Sequence, residues 1–275
     1  MCLIVLGLQA HPLYPLVVAA NRDEVVTRPS EPAGFWPSPV GLLAGRDLSA
    51  GGTWLGVTRS GRFAALTNVR EPRAFDNSAP SRGELVVRFL EASEAPLAHL
   101  RHLWTAGERR NGFNLLAAAG GRLAWFSNRG LAPREVEAGI HCVSNALLDT
   151  PWPKTTRAAA GLARVLGRGD DLDPEELFAL LADREPAPDG ELPDTGVGLA
   201  TERTLSAPFV AAPGYGTRGT TLLLVGHTGR ATLLERRFDD AFHVSGTTRF
   251  ELGFPGWVPS GRALNPGPEN GLQDS

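Results

Sequence analysis

The sequence predicts an α+β fold in which antiparallel sheets are covered by helices. Three observations carry this. Apolar strand-like runs recur in pairs around turn residues, helical stripes fall between the pairs, and no strand-GxGxxG-helix unit of a doubly wound sheet occurs. With 275 residues the chain can hide about 75 % of its unfolded surface in one core. Residues 1–258 are expected to form one domain. Residues 259–275 have little to bury and are expected to be a flexible C-terminal tail.

The elements follow in order. Residues 1–8 and 16–24 form a predicted hairpin around the polar, Pro-bearing segment 10–15, which places Cys2 opposite Arg22 or Asp23. Residues 28–52 read mostly as loop, with a short strand at 40–43. Runs 53–58 and 62–68 flank Ser60-Gly61, and a two-residue turn there would pair Thr53 with Asn68. Ser81 is the expected cap of a helix over 82–92, whose Leu85, Val86, Phe89 and Leu90 form one apolar stripe. A second helix is expected at 95–106. Runs 113–119 and 122–127 meet at Gly120-Gly121 as a hairpin, and 139–145 reads as a strand. Residues 154–166 are predicted helical. Asp173, followed by Pro174 and Glu175-Glu176, marks another helix start. The Pro-, Gly- and acid-rich segment 184–207 reads as loop, and 220–226, 231–237 and 241–245 as strands.

Several function classes are disfavoured. A net charge of −3 with both signs interspersed lacks the basic stripe of a nucleic-acid binder. No apolar run reaches the ~18 residues of a membrane span, and the N-terminal run lacks the basic leader of a signal peptide. Two cysteines, Cys2 and Cys142, make no disulfide framework, so a cytoplasmic protein is expected. There is no CxxC, HExxH, GxxxxGK[ST] or GxSxG. His99 and His102 have ligand-like spacing on a helix but no third partner, so no metal site is expected. Lys154 stands alone among arginines and gives Schiff-base chemistry little support.

Chemistry concentrates at position two. Removal of Met1 would leave a thiol and a free α-amine on Cys2, and an amine with pKa near 8 can take the thiol proton. The polar cluster Asn21-Arg22-Asp23-Glu24 continues the facing strand. In it Asp23 can orient the ammonium, and Arg22 can hold a thiolate or a substrate carboxylate. Asn68 and Asn145 each end an apolar run and could donate an amide to an oxyanion, against the ordinary preference of Asn for turns. Arg218 could clamp an anion, or be an exposed strand-end arginine. Trp36, Trp54, Phe63 and Trp125 could wall a ligand pocket.

Taken together, Met1-Cys2, Ala20-Asn21-Arg22-Asp23-Glu24, Gly51-Gly52-Thr53-Trp54-Leu55-Gly56, Leu66-Thr67-Asn68-Val69-Arg70, Val143-Ser144-Asn145 and Thr217-Arg218 resemble the NRDE family. That family is also called the transport-and-Golgi-organisation-2 family, and the resemblance spans residue 1 to about 250. It implies the four-layer αββα sandwich of N-terminal-nucleophile hydrolases, with a looser likeness to their penicillin-acylase and bile-salt-hydrolase branch. By that resemblance Cys2 is the nucleophile and Asp23 orients the amine. Asn68 and Asn145 serve the oxyanion and the amine, and Arg218 completes the catalytic set. Asn21, Arg22, Glu24 and Trp54 would contact substrate. The implied activity is that of an N-terminal cysteine amidohydrolase or acyl-transfer enzyme acting on a small amide or acyl substrate. The alternative is a non-catalytic carrier of haem or acyl-CoA, since the family is associated with haem mobilisation and acyl-CoA homeostasis. No cofactor is required on either reading, haem being at most a ligand.

Overall fold

The computed structural model describes residues 2–38 and 41–257. Met1, the expected strand residue Val40 and the expected tail lie outside the described residues. The N-terminal hairpin forms from β1 (Cys2–Leu8) and β2 (Leu16–Val25), with Cys2 directly opposite Arg22. Both faces of these strands are apolar. Ile4, Leu6, Val18 and Ala20 enter one core cluster, and Leu3, Val5, Val17 and Ala19 enter another. A strand that buries both faces reads as a continuous apolar run, as this one does.

Two strands occupy the stretch expected to be mostly loop, β3 (Ser30–Phe35) and β4 (Leu42–Asp47). β3 is a sheet edge with Pro32 inside it and a register shift between Glu31 and Gly34. Proline is tolerated at an edge or bulge, and its presence hid the strand. β5 (Leu55–Thr58) and β6 (Phe63–Asn68) form the expected hairpin one residue out of the expected register, Leu55 pairing with Ala65. The reason is local. Gly61 takes φ +82° and closes a three-residue loop in which the Thr58 N–H donates to the Arg62 carbonyl.

α1 (Gly83–Glu91) carries the predicted stripe, but Ser81 does not cap it; the Ser81 carbonyl accepts from Arg110 instead. α2 (Pro96–Ala106), β7 (Phe113–Ala119) and β8 (Arg122–Ser127) match their expected segments, followed by β9 (Arg134–Glu135) and β10 (Gly139–Val143). α3 (Pro153–Leu166) precedes α4 (Pro174–Leu181), where the Asp173 carboxylate accepts the Glu175 N–H at 2.9 Å as a cap should. The expected loop at 184–207 contains α5 (Leu199–Thr204). β11 (Ala211–Ala212), β12 (Tyr215–Val225), β13 (Arg230–Phe238) and β14 (Val244–Gly253) complete the described chain.

The strands make two antiparallel sheets. One runs β10-β1-β2-β12-β13-β14, with β11 on β12; the other runs β3 through β9 in sequence order. Ile4, Val18, Phe63, Leu116, Leu233 and Trp257 lie in the core between them. Outside the first sheet, Leu162 and Leu166 of α3 and Leu177 of α4 pack on Val5, Ala19 and Leu222. Outside the second, Leu85 and Phe89 of α1 and Leu100 of α2 pack on Leu115 and Ala117. The result is the αββα order. β1 is an interior strand between β10 and β2, so the ends of β1, β2 and β6 meet at one rim.

Candidate functional site

A cleft of about 560 Å³ opens at that rim, lined by Cys2, Arg22, Asp23, Trp54, Asn68 and Arg82 among others. Alternation along the strands puts Cys2 and Arg22 on the face toward the second sheet, with the Arg22 guanidinium stacked 4.2 Å from the Trp54 ring. Burial pushes the Cys2 thiol up from its ordinary range, and the Asp23 main-chain amide and the Arg22 charge pull against it. Ser144 Oγ donates to the Cys2 carbonyl at 2.9 Å and fixes the strand end.

Asp23 lies one position along β2, toward α3. Its Oδ1 accepts from Thr217 Oγ1 at 2.7 Å, and that oxygen in turn accepts the Val210 N–H at 3.0 Å. Burial raises the Asp23 carboxyl, and the largest opposing charge is Lys154. Lys154 is 2 % exposed. Its Nζ donates to Asn145 Oδ1 at 3.3 Å, and burial pulls its pKa down to about 8.

Asn145 is a junction. Its Nδ2 donates to the Asn68 carbonyl at 3.0 Å, while its Oδ1 accepts from Lys154 and, at 3.2 Å, from Arg70. Arg70 is held at 2.5 Å by Glu202 of α5, both side chains being buried. Asn145 does not line the cleft; it holds the end of β6, and so Asn68, against the lysine.

The sequence-predicted residues thus divide. Cys2, Arg22, Asp23, Glu24, Trp54 and Asn68 line the cleft. Asn21 does not. Its Nδ2 donates to the Leu181 and Pro208 carbonyls and its Oδ1 accepts from Thr220, so it ties β2 to the helix layer. Arg218 also lies elsewhere. It is the extra residue of a bulge between Thr217 and Gly219, which turns it to a second cavity and to Asp239 and Asp240. Of the four aromatics expected to wall a pocket, Trp54 alone lines the cleft; Phe63 and Trp125 are between the sheets and Trp36 is on the outer layer. His99 and His102 pair with Glu94, and no group of three metal-binding side chains occurs among the described residues.

Sequence reasoning gave no site role to Lys154, Thr217 or the Arg70–Glu202 pair, although Arg70 and Thr217 stand in the motifs that carry the family resemblance. Lys154 carried a usable signal as the chain's single lysine. Glu202 carried none, since its partner Arg70 is distant in sequence and only the fold brings the two together.

An αββα sandwich of two antiparallel sheets is the fold of N-terminal-nucleophile hydrolases, and here the thiol of residue two lies at its rim. A solved structure described as the C2A mutant of conjugated bile acid hydrolase from Clostridium perfringens superposes with TM-score 0.50 at 8 % identity, covering 91 % of this chain and 92 % of that one. The N-acylethanolamine-hydrolyzing acid amidase ortholog of Caenorhabditis elegans gives TM-score 0.46 at 10 % identity, covering 82 % and 92 %. The chain belongs to the Transport and Golgi organisation 2 family, whose model matches residues 1–240. The human Transport and Golgi organization protein 2 homolog is 37 % identical over 87 % of this chain and 94 % of its own length. Transport and Golgi organization protein 2 of Drosophila melanogaster is 25 % identical over 86 % and 91 %. No helix among the described residues is long and apolar enough to cross a membrane.

Proposed function

We propose that the chain is an N-terminal cysteine amidohydrolase or acyl-transfer enzyme acting on a small amide or acyl substrate. The observation that carries the reading is the convergence of the Cys2 thiol, Asp23 and the Asn68 strand end in one cleft. Once Met1 is removed, the α-amine of Cys2 accepts the thiol proton and the sulfur attacks the substrate carbonyl. The oxyanion is held by the Asn68 side-chain amide and a main-chain N–H. The C–N bond breaks, the leaving amine takes the proton from the ammonium, and a thioester remains on Cys2. Water, deprotonated by the same amine, then resolves it. Asp23 keeps the ammonium oriented, and Lys154 offsets the cost of burying the Asp23 charge. A neighbour in the fold that is a hydrolase, its solved form bearing a C2A substitution, supports the same class.

Intact mass tests this. Protein incubated with an activated acyl amide is expected to begin at Cys2 and to carry one acyl adduct that hydroxylamine removes; Cys2→Ala carries none. A chain that retains Met1 in its native host, or an adduct elsewhere, sinks the proposal. A ligand bound equally by parent and Cys2→Ala, with no adduct on the parent, would replace the enzyme by a carrier.

A further inference from the structure

A second cavity of about 230 Å³ lies on the far side of the Arg22–Trp54 stack, and both residues of the stack line it as well as the cleft. The strand registers show what joins the two. Cys2 pairs with Arg22, Arg22 with Gly219, Gly219 with Arg237, and Arg237 with Gly246, so one row crosses β1, β2, β12, β13 and β14 on a single face. At about 4.8 Å per strand, Cys2 and Arg237 are about 14 Å apart along it. Glycine at the two alternate positions leaves the row without side chains there. A Cβ at Gly246 would come within 2.9 Å of Arg237 Nη2.

The charges in this chamber are unequally engaged. Arg22 and Arg237 make no ion pair within 4 Å among the described residues, though their charges act on Glu235, and Arg237 Nε is buried without a hydrogen-bond partner among the described residues. Arg218 also points in, held by the Asp239 carbonyl at 2.8 Å and by Asp240. The carboxylates have other donors. Glu235 Oε2 accepts the Ala33 N–H at 2.8 Å, and Asp239 Oδ1 accepts those of Ala241 and His243 at 2.9 Å. Glu31 is exposed at the mouth. Arg22 and Arg237 face the cavity with no hydrogen-bonded carboxylate among the described residues, the buried Glu235 acting on both through space. Their donors are therefore open to an anion, and Arg donors fit planar oxyanions.

We propose that this chamber binds an anionic group, carboxylate or phosphate, at the far end of a substrate whose carbonyl meets Cys2. The inference rests on the function proposed above and adds the substrate class: an acyl or amide compound with its anion roughly 10–14 Å from the reacting carbon. Arg237 and Arg22 are the binding residues, Glu235 is their buried counter-charge, and the glycine gaps admit the chain between them.

The test uses the full chain and thiol-directed probes of graded length, bromoacetamides ending in a carboxylate, a phosphonate or an uncharged amide. One charged length is expected to alkylate Cys2 at least ten-fold faster than its uncharged counterpart. In Arg237→Gln that ratio falls to about one, and in Gly246→Ala, which displaces the Arg237 tip, it falls in the same direction. The better of carboxylate and phosphonate identifies the source of the anion. Equal rates for charged and uncharged probes at every length, or a ratio that survives both substitutions, overturns the proposal. A thiol inert to all probes would sink the catalytic reading, and a binding readout then decides this one. In Cys2→Ala, an alkyl carboxylate or alkyl phosphate raises the thermal midpoint above the effect of the matching alcohol only while Arg237 is present. No such difference, with Arg237 in place, overturns it.

Discussion

Lys154 shows how much one side chain sets at this rim. A buried ammonium is costly, and here it is retained beside a buried carboxyl and the Asn145 junction. Its charge is the largest that opposes the upward push of burial on Asp23. A carboxyl whose folded-state pKa is raised imposes no penalty below its unfolded pKa, and the penalty grows as pH rises through the folded value. Lys154→Met removes the opposing charge and raises Asp23 further. The variant is therefore expected to lose about 2 kcal/mol at pH 7. The deficit is expected to shrink as pH falls toward 5, the direction in which the raised Asp23 carboxyl takes up its proton. Urea unfolding of parent and variant at the two pH values checks this, and an equal gap at both would dissociate Lys154 from Asp23. In the parent, the lysine's own pKa near 8, below its ordinary 10.4, means that its contribution to stability improves as pH rises between those values.

Among the elements, α1 is docked by its apolar stripe and, at its N-terminal end, by backbone against backbone. Gly52 and Gly83 lie against each other; a Cβ on Gly52 would fall 2.5 Å from the Gly83 carbonyl carbon, and the Thr53 N–H donates to the Gly83 carbonyl. This contact sets the cleft wall that carries Arg82. Gly52→Ala cannot be absorbed by a flexible side chain, so α1 must move. The expected cost is about 1–3 kcal/mol in denaturant unfolding. Cys2 is also expected to react faster with small neutral alkylating agents as the wall withdraws. The same scale shows what was legible in the sequence. α1, α2 and the 113–127 hairpin have strong periodicity and short connections, and their positions read directly. β3 did not, because Pro32 breaks the strand signal; the β5–β6 register did not, because it depends on the φ of Gly61. Cys2 facing Arg22 or Asp23 was legible to within one residue because loop length constrains a hairpin's register, and the structure selects Arg22. Arg218 was misplaced because a bulge leaves no mark in composition.

In the whole molecule, the layer between the sheets binds the two halves together. Trp257 closes one end of it, 1 % exposed, its Nε1 donating to the Gly61 carbonyl at 3.0 Å and its ring lying beside Phe254. Trp257→Ala removes that plug and leaves the Gly61 carbonyl without its donor. About 3–5 kcal/mol of stability is expected to be lost, lowering the melting temperature by roughly 10 °C or more. Scanning calorimetry checks it, and a shift of only a degree or two would place the plug outside the cooperative core. The interior position of β1 has a practical bearing on how the protein is handled. A strand hydrogen-bonded on both sides, with its first residue facing the cleft, cannot swing aside to make room for added chain. An affinity tag fused ahead of Cys2 would begin inside the opening and obstruct it, so preparations meant to display the molecule's chemistry should carry their handle at the other terminus.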